Sequence, residues 1–301
     1  MVSRAWVRIL MAVLLLAGML VTVLPDLGQA EEPASMTDAG QQTTLLGPFS
    51  LQAGYKTWYA QWQSRSIISN ATGSNQQTSS FAPMTGPLIT LGYTRRGSED
   101  WFRGLYVSYQ YLNGGFGYHD YGSTGTQTVP AIQTALRTDT TISASIPVYK
   151  GYGVFGGFYE SLQRFQFSKG TPRQASLRFK GPVAGLFGSE PVTGTRAALY
   201  GNVGVGWLTL HPGQSDGQGT NAQFGTESVM MYSMESGVNY GLPGFWKIRP
   251  SVQIGFRAQV LQQTFPRSFP AASGNAATNL LANTRTNDIM WGPTFMVSAA
   301  F

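Results

Sequence analysis

From Phe49 onward, apolar and polar residues alternate with a period of two, the spacing of strands with one buried face rather than of helices. The stretch 246–260 shows it best. Trp246, Ile248, Pro250, Val252, Ile254, Phe256, Ala258 and Val260 fall on one side, and Lys247, Arg249, Ser251, Gln253, Gly255, Arg257 and Gln259 on the other. Nine more segments read the same way, at about 49–63, 85–95, 101–113, 135–149, 152–167, 175–188, 195–210, 226–242 and 288–301. In 135–149, for example, Leu136, Ile142, Ala144, Ile146 and Val148 oppose Arg137, Asp139, Thr141, Ser143 and Ser145. In 175–188, Leu177, Phe179, Val183 and Phe187 oppose Ser176, Arg178, Lys180 and Ala184. The fold class this predicts is all-β.

The connections alternate too. Short turns such as Arg96-Gly97-Ser98-Glu99-Asp100 and Lys150-Gly151 are followed by long polar segments at 64–83, 113–134, 211–225 and 264–287, rich in Ser, Thr, Asn, Gln and Gly. That describes an antiparallel up-and-down barrel of about ten strands with two unequal ends. Eight or twelve strands also fit, since 264–287 or the N-terminal tail has room for more. A water-soluble barrel hides its apolar face, whereas three features here turn that face outward. The segments exceed the ~9–11 residues that a tilted spanning strand needs, and ten are too many for an eight-stranded lipid-binding cup. The polar face holds Gly, Ser, Thr, Gln and Tyr, and charged residues are only 11% of the chain, against ~25–35% on a water-exposed surface. Aromatics gather near segment ends, Trp58, Tyr59 and Trp62 at one end and Trp101, Phe102, Phe245, Trp246 and Phe301 at the other, as in the girdles at a lipid–water boundary. In lipid every backbone N–H and C=O must pair, so the first and last strands must meet. The segment 152–167 has apolar residues on both sides. Glu160 and Arg164 are assigned to its inner face, because a charge against hydrocarbon costs ~2–4 kcal/mol at the midplane.

Residues 1–30 have the pattern of a cleaved secretory signal peptide, with Arg4 and Arg8, an uncharged run from Ile9 to Leu24, the break at Pro25 and small residues at Gly28 and Ala30. Residues 31–47 are expected to form a polar periplasmic tail, and residues 48–301 the transmembrane barrel. The chain ends Phe295-Met296-Val297-Ser298-Ala299-Ala300-Phe301. With its leader, its ten strands and this ending, the sequence resembles bacterial outer-membrane β-barrel proteins. The resemblance implies a Gram-negative outer-membrane location, lipid around the barrel, and Phe295, Val297 and Phe301 as an assembly signal read by the barrel-assembly machinery. It is specific for architecture and silent about ligand.

The inferred inner face carries Lys56, Arg137, Asp139, Glu160, Arg164, Arg178, Lys180, Glu235, Lys247, Arg249 and Arg257. A tight turn at Lys150-Gly151 sets Arg137 opposite Arg164, with Asp139 shared between them, because like charges directly opposite repel. A ten-stranded barrel is narrow, and at eight strands side chains just fill the interior. The favoured expectation is therefore a filled barrel with a non-catalytic structural or surface-interaction role. The alternative is a narrow, porin-like channel for small anionic solutes, since excess cations focus a positive potential.

Other chemistry has little support. There is no cysteine, and His119 and His211 are the only histidines. No Gly-x-Ser-x-Gly elbow, His-Glu-x-x-His pair or Asp-rich calcium loop occurs. No enzyme activity, cofactor or metal is expected. The leader takes away two of the 20 basic and one of the 14 acidic residues, which leaves a mildly basic chain without a basic stripe, so nucleic acid is not an expected partner. The long polar loops suit display at the cell surface.

Overall fold

The computed structural model describes residues 48–68, 74–94, 104–124, 132–149, 151–167, 174–215, 221–223, 227–246, 248–263 and 284–301. The expected signal peptide and tail lie outside the described residues. Twelve strands form one antiparallel sheet: β1 (Phe49–Ile68), β2 (Ser74–Ser79), β3 (Ala82–Thr94), β4 (Gly104–Thr124), β5 (Ile132–Tyr149), β6 (Tyr152–Phe167), β7 (Gln174–Pro191), β8 (Ala197–Ser215), β9 (Asn221–Gln223), β10 (Glu227–Gly241), β11 (Arg249–Gln263) and β12 (Thr284–Ala300). β2 and β3 both lie between β1 and β4 and are one stave interrupted at Ser80-Phe81. β9 and β10 both pair with β8. The sheet therefore has ten staves. β12 pairs with β11 on one side and β1 on the other, and this closes the barrel. The seam is finished by a hydrogen bond from Phe301 N–H to the Leu51 carbonyl (2.9 Å), and the β1–β3 ladder by one from Thr94 N–H to the Pro48 carbonyl (2.8 Å).

Closure leaves no sheet edge, so the wall satisfies its own backbone. Alternation then divides the side chains. Ile254, 61% exposed, and Leu91, Val205 and Phe295 cover the outside, while Trp58, Trp62, Met84, Leu112 and Phe116 are buried inside. Close approach across the seam requires glycine at 292, where a Cβ would collide with the Tyr59 carbonyl. Gly151, at φ 89°, makes the left-handed turn between β5 and β6.

Several expectations change. Of the four segments read as long loops, 64–83, 113–134 and 211–225 are strand over most of their described length. β1 runs to Ile68 and β2 starts at Ser74, β4 runs to Thr124, and β8 runs to Ser215. The 21 residues of β4, at about 3.3 Å per residue and a tilt near 45°, reach about 50 Å, twice the ~25 Å apolar band of such barrels. The strands therefore stand well clear of the bilayer at that end. Trp58 and Trp62, expected in an aromatic girdle, are wholly buried in the lumen, whereas their neighbour Tyr59 faces out. Trp246 is not part of a strand. It sits 95% exposed in the β10–β11 turn with φ 57°. Trp101 and Phe102 lie outside the described residues.

Candidate functional site

The lumen gathers several of the expected charges, and two staves, β1 and β10, supply its first ion pair. Register brings Lys56 of β1, Glu235 of β10 and Thr294 of β12 to one level near the short-turn end. The Lys56 ammonium donates to both Glu235 carboxylate oxygens at 2.6 Å, and Tyr200 and Thr294 hydroxyls also donate to Oε1, at 3.3 and 3.5 Å. Below it, the Ser298 hydroxyl of β12 accepts from the Gln52 amide of β1 and shares a hydrogen bond with the Ser251 hydroxyl of β11.

The next level crosses the barrel. Arg257 of β11 lies over the Trp58 ring at 4.7 Å and reaches Gln259 and, at 3.5 Å, Gln110 of β4. Gln259 donates to the Tyr159 hydroxyl at 2.8 Å from the opposite wall. The same oxygen accepts from Arg137 at 2.9 Å, and Arg137 forks onto Asp139 at 2.9 and 3.1 Å. The guanidinium also contacts the Met290 sulfur and stacks over Trp62 at 5.4 Å. Trp62 in turn meets the edge of Phe116, and Tyr118 and Phe165 pack on it. A side-by-side apolar cluster of Phe179, Val183, Leu208, Leu210, Val229, Met231 and Leu261 fills the β7–β11 side. Large side chains from facing walls thus meet in the middle, and Trp58, Trp62, Arg137, Tyr159, Phe116 and Phe179 are each at most 2% exposed.

The charge inventory differs from the sequence expectation. Lys56, Arg137, Asp139, Glu235 and Arg257 face the lumen. Arg249 has the same parity but sits exposed at the lower mouth, and Lys247 lies outside the described residues. Glu160, Arg164, Arg178 and Lys180 point outward, away from the lumen. Gln163, not Arg164, is the partner of Arg137. The cause is a β-bulge between Pro147 and Tyr149 that leaves Val148 unpaired. Proline has no N–H to give to the ladder, and bulges are where strands tolerate it. One extra residue slips the register by one, and a slip of one sends every following side chain to the other face. Tyr159, Ser161 and Gln163 therefore enter the lumen in place of Glu160, Leu162 and Arg164, and β7 follows β6 through its own ladder. The shared Arg137–Asp139–Arg164 cluster does not form, although Arg137 and Asp139 pair.

The sequence reading missed Asp288. It is buried within electrostatic range of Arg137, Tyr118, Ser64 and Gln163. The signal was present, because it lies two residues before Met290 on the polar parity of that strand. With it, the lumenal charges described away from the mouth balance: Lys56, Arg137 and the half-buried Arg257 against Asp139, Glu235 and Asp288. His119 and His211 lie in β4 and β8, and neither has lumenal parity. Among the described residues no group of three His, Asp or Glu side chains could hold a metal ion.

No protein-family model matches this chain, and no curated protein matches it. Solved structures similar in fold include the outer membrane protease OmpT from Escherichia coli (12% identity, 84% of this chain and 97% of that one, TM-score 0.44). They also include Ail, the attachment invasion locus protein of Yersinia pestis (11% identity, 81% and 97%, TM-score 0.28), and the toluene transporter TbuX of Ralstonia pickettii (9% identity, 87% and 90%, TM-score 0.30). A closed antiparallel wall, greasy outside, is the architecture of the bacterial outer-membrane β-barrels, and this chain has it in ten staves.

Proposed function

We propose that this protein is a sealed outer-membrane barrel with a non-catalytic role, a rigid support that holds its tall strand extensions and loops at the cell surface. One observation carries the reading. The lumen is crossed by the continuous chain Arg257–Gln259–Tyr159–Arg137–Asp139, wedged between Trp58 and Trp62. Opening a path would break a buried ion pair and expose several aromatic rings. The balance of described charges away from the mouth weighs against the alternative, a channel for small anions.

The test is electrical. The full chain, refolded into planar bilayers, is expected to show no steady conductance, while the double variant Trp62→Ala/Tyr159→Ala opens one. Steady conductance of the unaltered protein would overturn the sealed-barrel reading. The outer-leaflet orientation of the tall end and recognition of the last strand by assembly machinery belong to the same proposal. Phe295 and Val297 present their side chains on the outside of β12, where such a reader would meet them.

A further inference from the structure

The bulge that empties the lumen of Glu160, Arg164, Arg178 and Lys180 places them together on the outside. Register sets them in rows across three staves: Glu160 beside Lys180 and Thr209, Leu162 beside Arg178 and His211, Arg164 beside Ser176. The height is informative. Glu160 and Arg164 stand eight and twelve residues above Tyr152 at the lower turn. At about 3.3 Å per residue and a tilt near 45°, that is about 19 and 28 Å, which brackets the upper edge of a ~25 Å apolar band. Beneath the rows the same staves are greasy, with Phe158, Leu186, Val203, Val205 and Trp207 exposed on the outside.

We propose that this tier binds the phosphate of an anionic lipid in the surrounding leaflet, with the acyl chains lying on the apolar staves below. Arg178 is held by Glu160 at 2.7 Å and its side chain is still 52% exposed. Glu160 is the only acidic side chain described among these rows; it pairs with Arg178 and stands beside Lys180, Arg164 lies four residues further along its own stave, and His211 is next to Arg178. His211 Nε2 is shielded and has no hydrogen-bond partner among the described residues. An anion with several acceptor oxygens matches such a group, and guanidinium forks suit phosphate geometry. The adjoining wall selects the source. A soluble phosphate would leave the apolar staves unused, whereas a phospholipid engages both. Basic side chains at a membrane surface attract anionic lipid in this way. The inference rests on the membrane-spanning reading and is independent of whether the lumen is sealed.

The experiment uses the full chain refolded into phosphatidylcholine vesicles doped with brominated phosphatidic acid or brominated phosphatidylcholine. Quenching of tryptophan emission reports which lipid sits against the wall, with Trp207 just below the tier. Preference for phosphatidic acid is expected, weakening as salt is raised. The triple variant R164Q/R178Q/K180Q should lose about tenfold or more of that preference, and E160Q, which releases Arg178 and removes a like charge, should strengthen it. Folding is checked by the heat-dependent shift in gel mobility. If the triple variant does not fold, E160Q and the single variant R164Q decide, moving in opposite directions. No preference in the parent protein, or equal preference in all folded variants, overturns the proposal. Displacement of phosphatidic acid by inorganic phosphate alone would overturn the lipid as source. Conductance is expected to stay nil throughout, so failure here is separable from failure of the sealed lumen.

Discussion

β11 turns Ile254 and Phe256 outward and keeps Arg257 and Gln259 in the lumen, while β7 keeps Phe179 and Val183 in the lumen and turns Arg178 and Lys180 outward. Both strands alternate greasy and charged residues over a similar length. Alternation creates two faces but does not say which is inside. That choice is inherited through the ladder from neighbouring staves. β11 runs in continuous register between β10 and β12. β7 takes its orientation from β6, and β6 takes its own from the bulge after Pro147. The same pattern thus fills a lumen in one place and decorates the outside in another.

The comparison is most directly broken by undoing the slip that the bulge sets. Deleting Gly156 from β6, above the bulge, should pair Arg137 with Arg164, turn Tyr159 toward lipid and drive Glu160 and Arg164 inward. The expected outcome is loss of the folded, heat-shiftable species in gel mobility. A folded deletion variant would show that the barrel does not depend on that orientation of β6. Next in size is Asp139→Ala, which strands the buried Arg137. It should destabilise by about 3–5 kcal/mol in urea titrations of the refolded protein. Ile254→Arg on the lipid-facing side of β11 should cost about 2–4 kcal/mol, measured in the same way. Arg178→Ala at the matching outward position of β7 should cost about 1 kcal/mol or less, because its ion pair with Glu160 is open to solvent. Similar penalties at Ile254 and Arg178 would mean that the two strands share one orientation after all.

The sequence carried much of this fold because period two is written in every stave. Leu136 against Arg137, or Val203 against Asn202, needs no knowledge of neighbours once the apolar side is known to face out. Closure followed from the backbone requirement in lipid. What could not be read was any property set by pairing. Pro147 was the visible cue for a bulge, but a proline near a turn also fits the end of a strand. Without the slip, Glu160 and Arg164 look like lumenal charges, and β7 follows them. Trp58 and Trp62 were misplaced for a different reason. An aromatic near a strand end fits a girdle or a lumen equally well by composition, and only parity with Lys56 distinguishes them. Asp288 was hidden because a strand boundary drawn at its own position gave it no facing partner.

The seam between β1 and β12 has a further consequence. The Phe301 amide is bonded to Leu51 and Ala300 pairs with Gln52, so the beginning and end of the wall are spatial neighbours. A short linker joining them, with new termini opened at the Lys150-Gly151 hairpin, would give a circularly permuted chain that rebuilds the same cylinder from a different starting stave.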